Sequence, residues 1–443
     1  MLKYFLLITG LWPGIFASLY AQDSVTAPLK WDLQTCLDYA KKNNITIKSL
    51  HWDARSSEQD LLQARAAKLP NLTGTVTQSV VNSNNANPVV GGFQTQANAS
   101  GNYGLSSSWT IYNGGYLNND VKQKNILLES AHLNVQQAEN DITLQITQAY
   151  LNILLQKENI VYLQELVNTS QTQLGLGKQR FDAGSLSRKD YLQLEATLSN
   201  DQYNLVTAIN AHRTNLIALK QILQLPSSAA FDIVQPDTLV TTQAIITLPD
   251  AESAAVKTRP EVKVGELGVR SAQVELEKSR AGALPTISLG AGLSSGYSDN
   301  QDLKYVDQLN NNFYQRLGVT VSIPIFANRI NKSNIERSKI QIEQAKLSLQ
   351  GTKTTLDQAV EQSYINVLNA QAQLTAAESQ WKINQESYRI TNEQLRLGAF
   401  NTIDLLTQKN LYVQALQAYV QAKYNNILNK KIYEFYTGVP VTL

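Results

Sequence analysis

A stretch that begins Leu69-Pro70-Asn71-Leu72 is written a second time from Leu284-Pro285-Thr286-Ile287, and the copy stays in register for about 130 residues. The offset is 215 at that point (284 − 69) and 214 from the next strand onward. Gln148-Ala149-Tyr150 returns as Gln362-Ser363-Tyr364, and Gly184 with Asp190 returns as Gly398 with Asp404. Self-similarity over so long a period means one structural unit used twice. The unit reads as a β-hairpin followed by a very long helical hairpin, a pairing that few folds can accommodate.

The residues ahead of the duplication read as an export signal. Lys3 supplies the positive start, Phe5 to Tyr20 is mostly apolar, and Ala21 before Gln22-Asp23 offers a cleavage point. Pro13 and Gly14 interrupt the run, which is short for a membrane anchor. A cleaved signal peptide is expected over residues 1–21. After residue 22 no apolar run is long enough for a transmembrane helix, so an exported chain of this kind is periplasmic, secreted or a β-barrel. A net charge of +2, with 17% charged residues, supplies no basic face and argues against a nucleic-acid partner. Cys36 is the single cysteine and has no intramolecular disulfide partner; its helix-like surroundings suit a buried structural thiol.

The first repeat is expected over 22–225. Short helices over 31–43 and 45–68 end before Pro70, which cannot continue a helix. A β-hairpin follows over about 70–112, then a long helical hairpin over about 116–223. Residues 226–250 read as a connector with room for short equatorial elements. The second repeat, 251–443, holds a helix from Pro260 to Gly282, a β-hairpin over about 285–326 and a helical hairpin over about 330–436. The strands alternate: Leu317, Val319, Val321, Ile323 and Ile325 share one parity, with Gly318, Thr320 and Ser322 on the other. The first copy opposes Leu72, Val76 and Val80 to Thr73, Thr75 and Thr77, and Leu105, Trp109 and Ile111 to Gly104, Ser106 and Ser108. Four strands of about ten residues, each with one apolar and one small polar face, match a tilted bilayer span. A soluble sandwich would need a second sheet to cover the apolar faces, and no further strands are evident. The polar tips, 82–102 and 296–315, read as exposed loops.

The helices carry the most quantitative pattern. Val121, Leu128, Val135 and Ile142 are spaced by seven; the run slips by four to Ile146 and resumes by sevens through Ile153, Ile160, Val167, Leu174 and Phe181. The second copy runs Ile335, Ile342, Leu349 and Leu356, slips by four to Val360, then continues through Val367, Leu374, Trp381, Tyr388 and Leu395. Sevens give a left-handed supercoil, and an inserted four locally unwinds it. A helix from 121 to 181 is about 90 Å long, deeper than any ordinary globular core. The return helix from Arg188 to Leu223 is only about 54 Å long, and residues 45–68 supply the missing length of about 36 Å. Each long helix is therefore expected to lie beside two shorter ones placed end to end.

Catalytic signatures are missing. Gly292-Leu293-Ser294-Ser295-Gly296 fits a nucleophile elbow by letters but lies in an expected strand without a following helix. Gly175-Leu176-Gly177-Lys178 lacks the spacing of a phosphate loop. His51, His132 and His212 are scattered without metal-ligand spacing. The chain is read as a non-enzyme with no cofactor and no metal.

In plan and in local motifs the chain resembles the TolC-like outer membrane efflux family (outer membrane factors). The motifs are Ala67-Lys68-Leu69-Pro70-Asn71-Leu72 and Gly282-Ala283-Leu284-Pro285-Thr286-Ile287 at strand entry, the run 109–115 and Ile323-Pro324-Ile325-Phe326 at strand exit, and the helical turns at 180–190 and 395–404. The resemblance implies a mixed α and β membrane protein, internally duplicated, with four transmembrane β-strands per chain. Three copies would close a 12-stranded barrel in the outer membrane, continued by a long coiled-coil α-helical barrel in the periplasm. The implied function is a trimeric channel, a passive exit duct for a tripartite efflux or type I secretion assembly. Its implied partners are a periplasmic adaptor (membrane fusion) protein, an inner-membrane transporter and outer membrane lipid. The other reading is a periplasmic or surface coiled-coil structural protein with no pore, which explains the heptads but not two amphipathic hairpins of membrane length.

Six residues are singled out at the helical tip. Gly184 and Gly398 end the long helices, where a left-handed cap is needed and where adaptors of the resembled family would dock. Asp190 and Asp404 open the return helices. Two readings stand for them: helix-start chemistry, with Ser187 to Asp190 in capping-box spacing, or, for Asp404, an acidic ring at the periplasmic mouth. The chain departs from the family's pattern at Leu395 and Phe400, where a Tyr and an Arg would tie the mouth shut, and at Thr407, where a second Asp would sit. Leu395 and Phe400 are expected to narrow the mouth as an apolar gate instead. Trp109, Tyr112, Tyr297 and Phe326 suit an interfacial aromatic girdle or ordinary barrel packing.

Overall fold

The computed structural model describes residues 29–86, 91, 93–236, 245–397 and 402–439. The expected signal peptide, 1–21, lies outside them. In chain order the elements are β1 (Leu29–Trp31), α1 (Leu33–Asn43), α2 (Ile45–Ala66), β2 (Thr73–Ala86), β3 (Phe93–Asn113), α3 (Tyr116–Asp182) and α4 (Arg188–Leu223). The second half supplies β4 (Phe231–Ile233), α5 (Leu248–Thr258), α6 (Pro260–Ala281), β5 (Thr286–Ser298), α7 (Tyr305–Asn311), β6 (Tyr314–Ser322), α8 (Ile330–Arg396) and α9 (Thr402–Tyr436). α3 and α8 have 67 residues each, or about 100 Å of helix.

β2, β3, β5 and β6 form one antiparallel sheet in that order. Its register aligns Trp109, Leu289 and Val319 across three strands, and Ser107, Ala291 and Leu317 one step further. The alternation read from the sequence therefore gathers on one face, and that face is bare: Val76 is 73% exposed, Leu317 75% and Val319 65%. Thr73, Ser106 and Gly292 share the other face with Arg316. A large exposed apolar face is unstable in water and marks a contact with lipid or protein.

Four expectations are corrected here. The first hairpin does not become a loop at residue 82; its ladder continues until Ala86 pairs with Phe93, because backbone pairing persists where side chains have turned polar. Among the described residues the second tip carries α7. β3 contains a bulge between Thr110 and Tyr112, so Tyr112, paired with Ile287, takes the place on the apolar face expected for Ile111. β6 stops at Ser322, two residues before Pro324, whose nitrogen cannot donate to a ladder.

The helices form two stacked rows. Near the sheet, α3 packs against α2 and α6, and α6 against α8; at the far end, α3 packs against α4 and α9, and α9 against α8. The heptad residues fill the seams, and every one on α8 is buried or half-buried. The short helices meet end to end at two splices. At the first, the Asn44 side chain caps α2, accepting from the amides of Thr46 and Ile47, and donates to the Ile222 carbonyl at the end of α4. At the second, the Arg259 guanidinium precedes α6 and lies 4.3 Å from the Phe435 ring centroid at the end of α9. The slip of four in each long helix lies level with these splices. Ile146 packs in a core with α1, β1 and β4, and Val360 in a core with Ala251 and Ala255 of α5. β1 and β4 form a parallel pair, Leu29 opposite Phe231, which the sequence reading had not anticipated. Trp31 belongs to β1 rather than to a helix, because Asp32 caps α1.

Candidate functional site

The candidate site is the end of the helices far from the sheet. α3 stops there because Gly184 adopts φ +73°. The Ser185 amide donates to the Arg180 carbonyl and the Gly184 amide to that of Phe181, the double bond of a Schellman turn. Phe181 stacks on Tyr191 at 5.3 Å across the turn. α4 starts at once: the Ser187 hydroxyl accepts from the Asp190 amide and donates to the Asp190 carboxylate at 2.7 Å. The Asp190 side chain is thus engaged in the cap of its own helix, where a carboxylate also favours the positive end of the helix dipole.

The second hairpin ends beside the first. Leu395, half-buried, receives a 3.5 Å contact from Arg180 at its carbonyl, and both line a cavity of about 310 Å³ with Leu176, Leu186 and Leu194. Gln173 ties the two hairpins together by donating to the Tyr388 hydroxyl and to Asn392, each at 3.1 Å. Asp404 stands exposed in the first turn of α9. Gly398 and Phe400 lie outside the described residues.

The sequence reading missed the most deeply buried ion pair among the described residues. Lys409 of α9 is 1% exposed and Asp201 of α4 4% exposed. Lys409 donates to the Asp201 carboxylate and to the Ser170 hydroxyl, and Ser170 in turn donates to Asp201. Burial holds the Lys409 ammonium below the usual lysine range, against the opposing pull of Asp201. A signal for it was present. Asp201 interrupts the spacing Leu194, Leu198, Leu205, Ala208, and Lys409 interrupts Leu406, Val413, Leu416, Val420. A second clamp joins the same halves: Lys423 donates to both oxygens of Glu158 at 2.8 and 2.9 Å, and Tyr424 donates to Glu158 at 2.7 Å.

A bare apolar sheet that continues into helices of about 100 Å has a match among known proteins. The family model described as "Outer membrane efflux protein" matches residues 36–224 and 252–429. The chain belongs to the outer membrane efflux protein family. It is 23% identical over 407 residues to the outer membrane efflux protein BepC of Brucella suis biovar 1, covering 91% of this chain and 84% of BepC. It is 21% identical over 293 residues to the proteases secretion protein PrtF of Dickeya chrysanthemi, covering 64% of this chain but only 61% of PrtF. The fold superimposes on a crystal structure of CusC with a TM-score of 0.79 at 17% identity, over 94% of this chain and 96% of that one. As an outer membrane efflux protein the chain has its sheet in the outer membrane and its helices in the periplasm. The apolar face of the sheet then meets lipid.

Proposed function

We propose that three copies of this chain form a passive exit duct, a 12-stranded barrel through the outer membrane extended by a helical barrel across the periplasm. The observation that carries this reading is the sheet itself. Its apolar face is uncovered, and its outer strands, β2 and β6, each have one partner among the described residues. A strand edge in lipid leaves backbone groups that nothing can satisfy, so the sheet must close. Strand directions alternate along the order β2-β3-β5-β6, so β6 of one copy meets β2 of the next antiparallel, and a ring closes without a mismatch.

In this reading the tip is the docking end and the gate. Gly184 and Gly398 shape the turns offered to a periplasmic adaptor, which links the duct to an inner-membrane transporter. Leu395 and Phe400 narrow the mouth, and Asp404 from three copies sets an acidic ring. Asp190 supports the turn through its cap. The names of the relatives cover both efflux and protease secretion, and the same duct serves either when the transporter chooses the cargo. Purified protein in detergent should have the mass of three chains and conduct in a planar bilayer. A monomer that leaves the membrane without detergent would instead favour the coiled-coil structural protein.

A further inference from the structure

On β3 and β5 the lipid-facing side of the sheet turns polar at one level, and α7 lies there. On that side the row Trp109–Leu289–Val319 is apolar, and in the row Gly74–Leu105–Leu293–Gln315 the polar member is Gln315 on the outer strand β6. The next rows outward are Val76–Tyr103–Ser295 and Gln78–Gly101–Tyr297. With the bulge discounted, Tyr112 and Tyr103 are eight ladder steps apart, Ile287 to Ser295 on β5. That is about 27 Å of strand, or about 19–22 Å across the membrane at a tilt of about 35–45°, a little under the apolar band of outer membrane barrels. Tyr103 and Tyr297 therefore mark the outer boundary of the hydrocarbon, as Trp109 and Tyr112 mark the inner one.

The β5–β6 connection is pinned to this same outward side. Tyr305 donates to the Tyr103 hydroxyl at 3.1 Å and packs edge-on against Tyr297 at 4.8 Å. Ser295, whose parity is lipid-facing, donates to the Leu309 carbonyl. Gln308, 3% exposed, accepts from the Ser298 amide and donates to the Leu303 carbonyl, both at 2.8 Å. Asn312 donates to the Gly296 carbonyl at 2.7 Å. The connection is held over the rim on the outside of the sheet, yet Leu303, Val306 and Phe313 are 51%, 63% and 52% exposed.

We propose that residues 303–313 form an interfacial strap, lying in the outer headgroup layer with Leu303, Val306 and Phe313 turned into the hydrocarbon boundary. The partner is the lipid surface, because the strap continues the apolar band that the sheet already presents to lipid. Tyr305 and the two sheet tyrosines it touches, Tyr103 and Tyr297, bridge the wet and dry sides, the usual place of amphipathic rings. The strap fixes how deep the barrel sits.

The test is a nitroxide at Val306→Cys, with full-length protein in phosphatidylcholine vesicles. Cys36 is fully buried and stays unlabelled. Collision with oxygen, which favours lipid, is compared with collision with a water-soluble nickel chelate. Leu317→Cys on the apolar face and Ser228→Cys in the exposed connector give the lipid and water references. The expected oxygen preference at Val306 is several-fold above that at Ser228 and below that at Leu317, and Phe313→Cys should follow it. A Val306 value equal to that of Ser228 overturns the strap. So does strong dipolar broadening without oxygen preference, which would mean contact between copies. A Leu317 value equal to that of Ser228 would overturn the lipid-facing sheet itself, and the strap with it.

Discussion

Lys409 and Asp201 face each other 2.5 Å apart in the seam between the two helical hairpins, and water reaches neither. Ser170 completes the group, so α3, α4 and α9 meet at one polar point inside an apolar seam. A buried pair of this kind adds little net stability, but removing one partner strands the other charge. Lys409→Met is expected to cost about 3–5 kcal/mol for that reason. Lys409→Met with Asp201→Leu should recover most of the loss, because the seam then holds no charge and the Ser170 hydroxyl keeps its bond to the Leu166 carbonyl. The midpoint of helix loss in urea, followed by circular dichroism for the single and double variants, measures both. Equal losses in the two would rule out a stranded charge.

Gly184 is a backbone requirement with no packing demand attached. Its φ is +73°, and a Cβ added there meets nothing within 4 Å. Gly184→Ala is therefore expected to cost about 1–2 kcal/mol, the strain of a left-handed alanine, and Gly184→Asn less. The effect should stay local. Trypsin should cut faster at Arg180 and Arg188, while the melting of the long helices holds. Gly177 is the contrast: a Cβ there comes within 2.5 Å of the Leu194 side chain. Gly177→Ala should overpack the α3–α4 seam and lower the global midpoint.

The long helical hairpins were legible almost to the residue, for a physical reason, whereas the short helices α5 and α7 were not. α4 spans Arg188–Leu223 as expected, since Ser187 caps its start and Gln224 turns left-handed at its end. Seven-residue spacing survives any tertiary context because it is what makes two helices pack. The strands were legible in their faces and not in their ends: pairing beyond the membrane has no side-chain signature, and a bulge shifts parity without changing composition. β1 and β4 were hidden because three residues carry no period. At the tip, Gly184 and Asp190 could be read from local chemistry. The Lys409–Asp201 pair spans 208 positions of sequence, and only the polar breaks in two apolar stripes pointed to it.

His212 on α4 is expected to make stability sensitive to acid. Burial, and then the nearby Lys157, hold its imidazole below the usual 6.5, against a smaller opposing pull from Asp232. Its Nε2 is buried without a hydrogen-bond partner. A histidine with a lowered folded pKa binds fewer protons folded than unfolded. Its contribution is therefore intact above about 6.5 and is lost as pH falls through the lowered value. The melting temperature of the wild type should fall between pH 7.5 and pH 5 by more than that of His212→Gln. Identical falls would remove His212 as a source of the effect.

The mouth of the duct should be gated by apolar side chains, which gives it a different response from an ion-paired gate. Leu395 lies half-buried against the Arg180 side of the tip, and Phe400 follows five positions later in the sequence. An apolar constriction stays shut by excluding water, so salt should leave it closed while a smaller side chain opens it. In planar bilayers Phe400→Ala is expected to raise single-channel conductance several-fold and Leu395→Ala by less. Asp404→Asn should lower the preference for cations without opening the channel, since the carboxylate attracts ions and does not span the bore. High salt should not reproduce the effect of Phe400→Ala; if it does, charge pairs hold the mouth closed and the apolar gate is wrong. Unchanged conductance in Phe400→Ala would remove Phe400 from the constriction altogether.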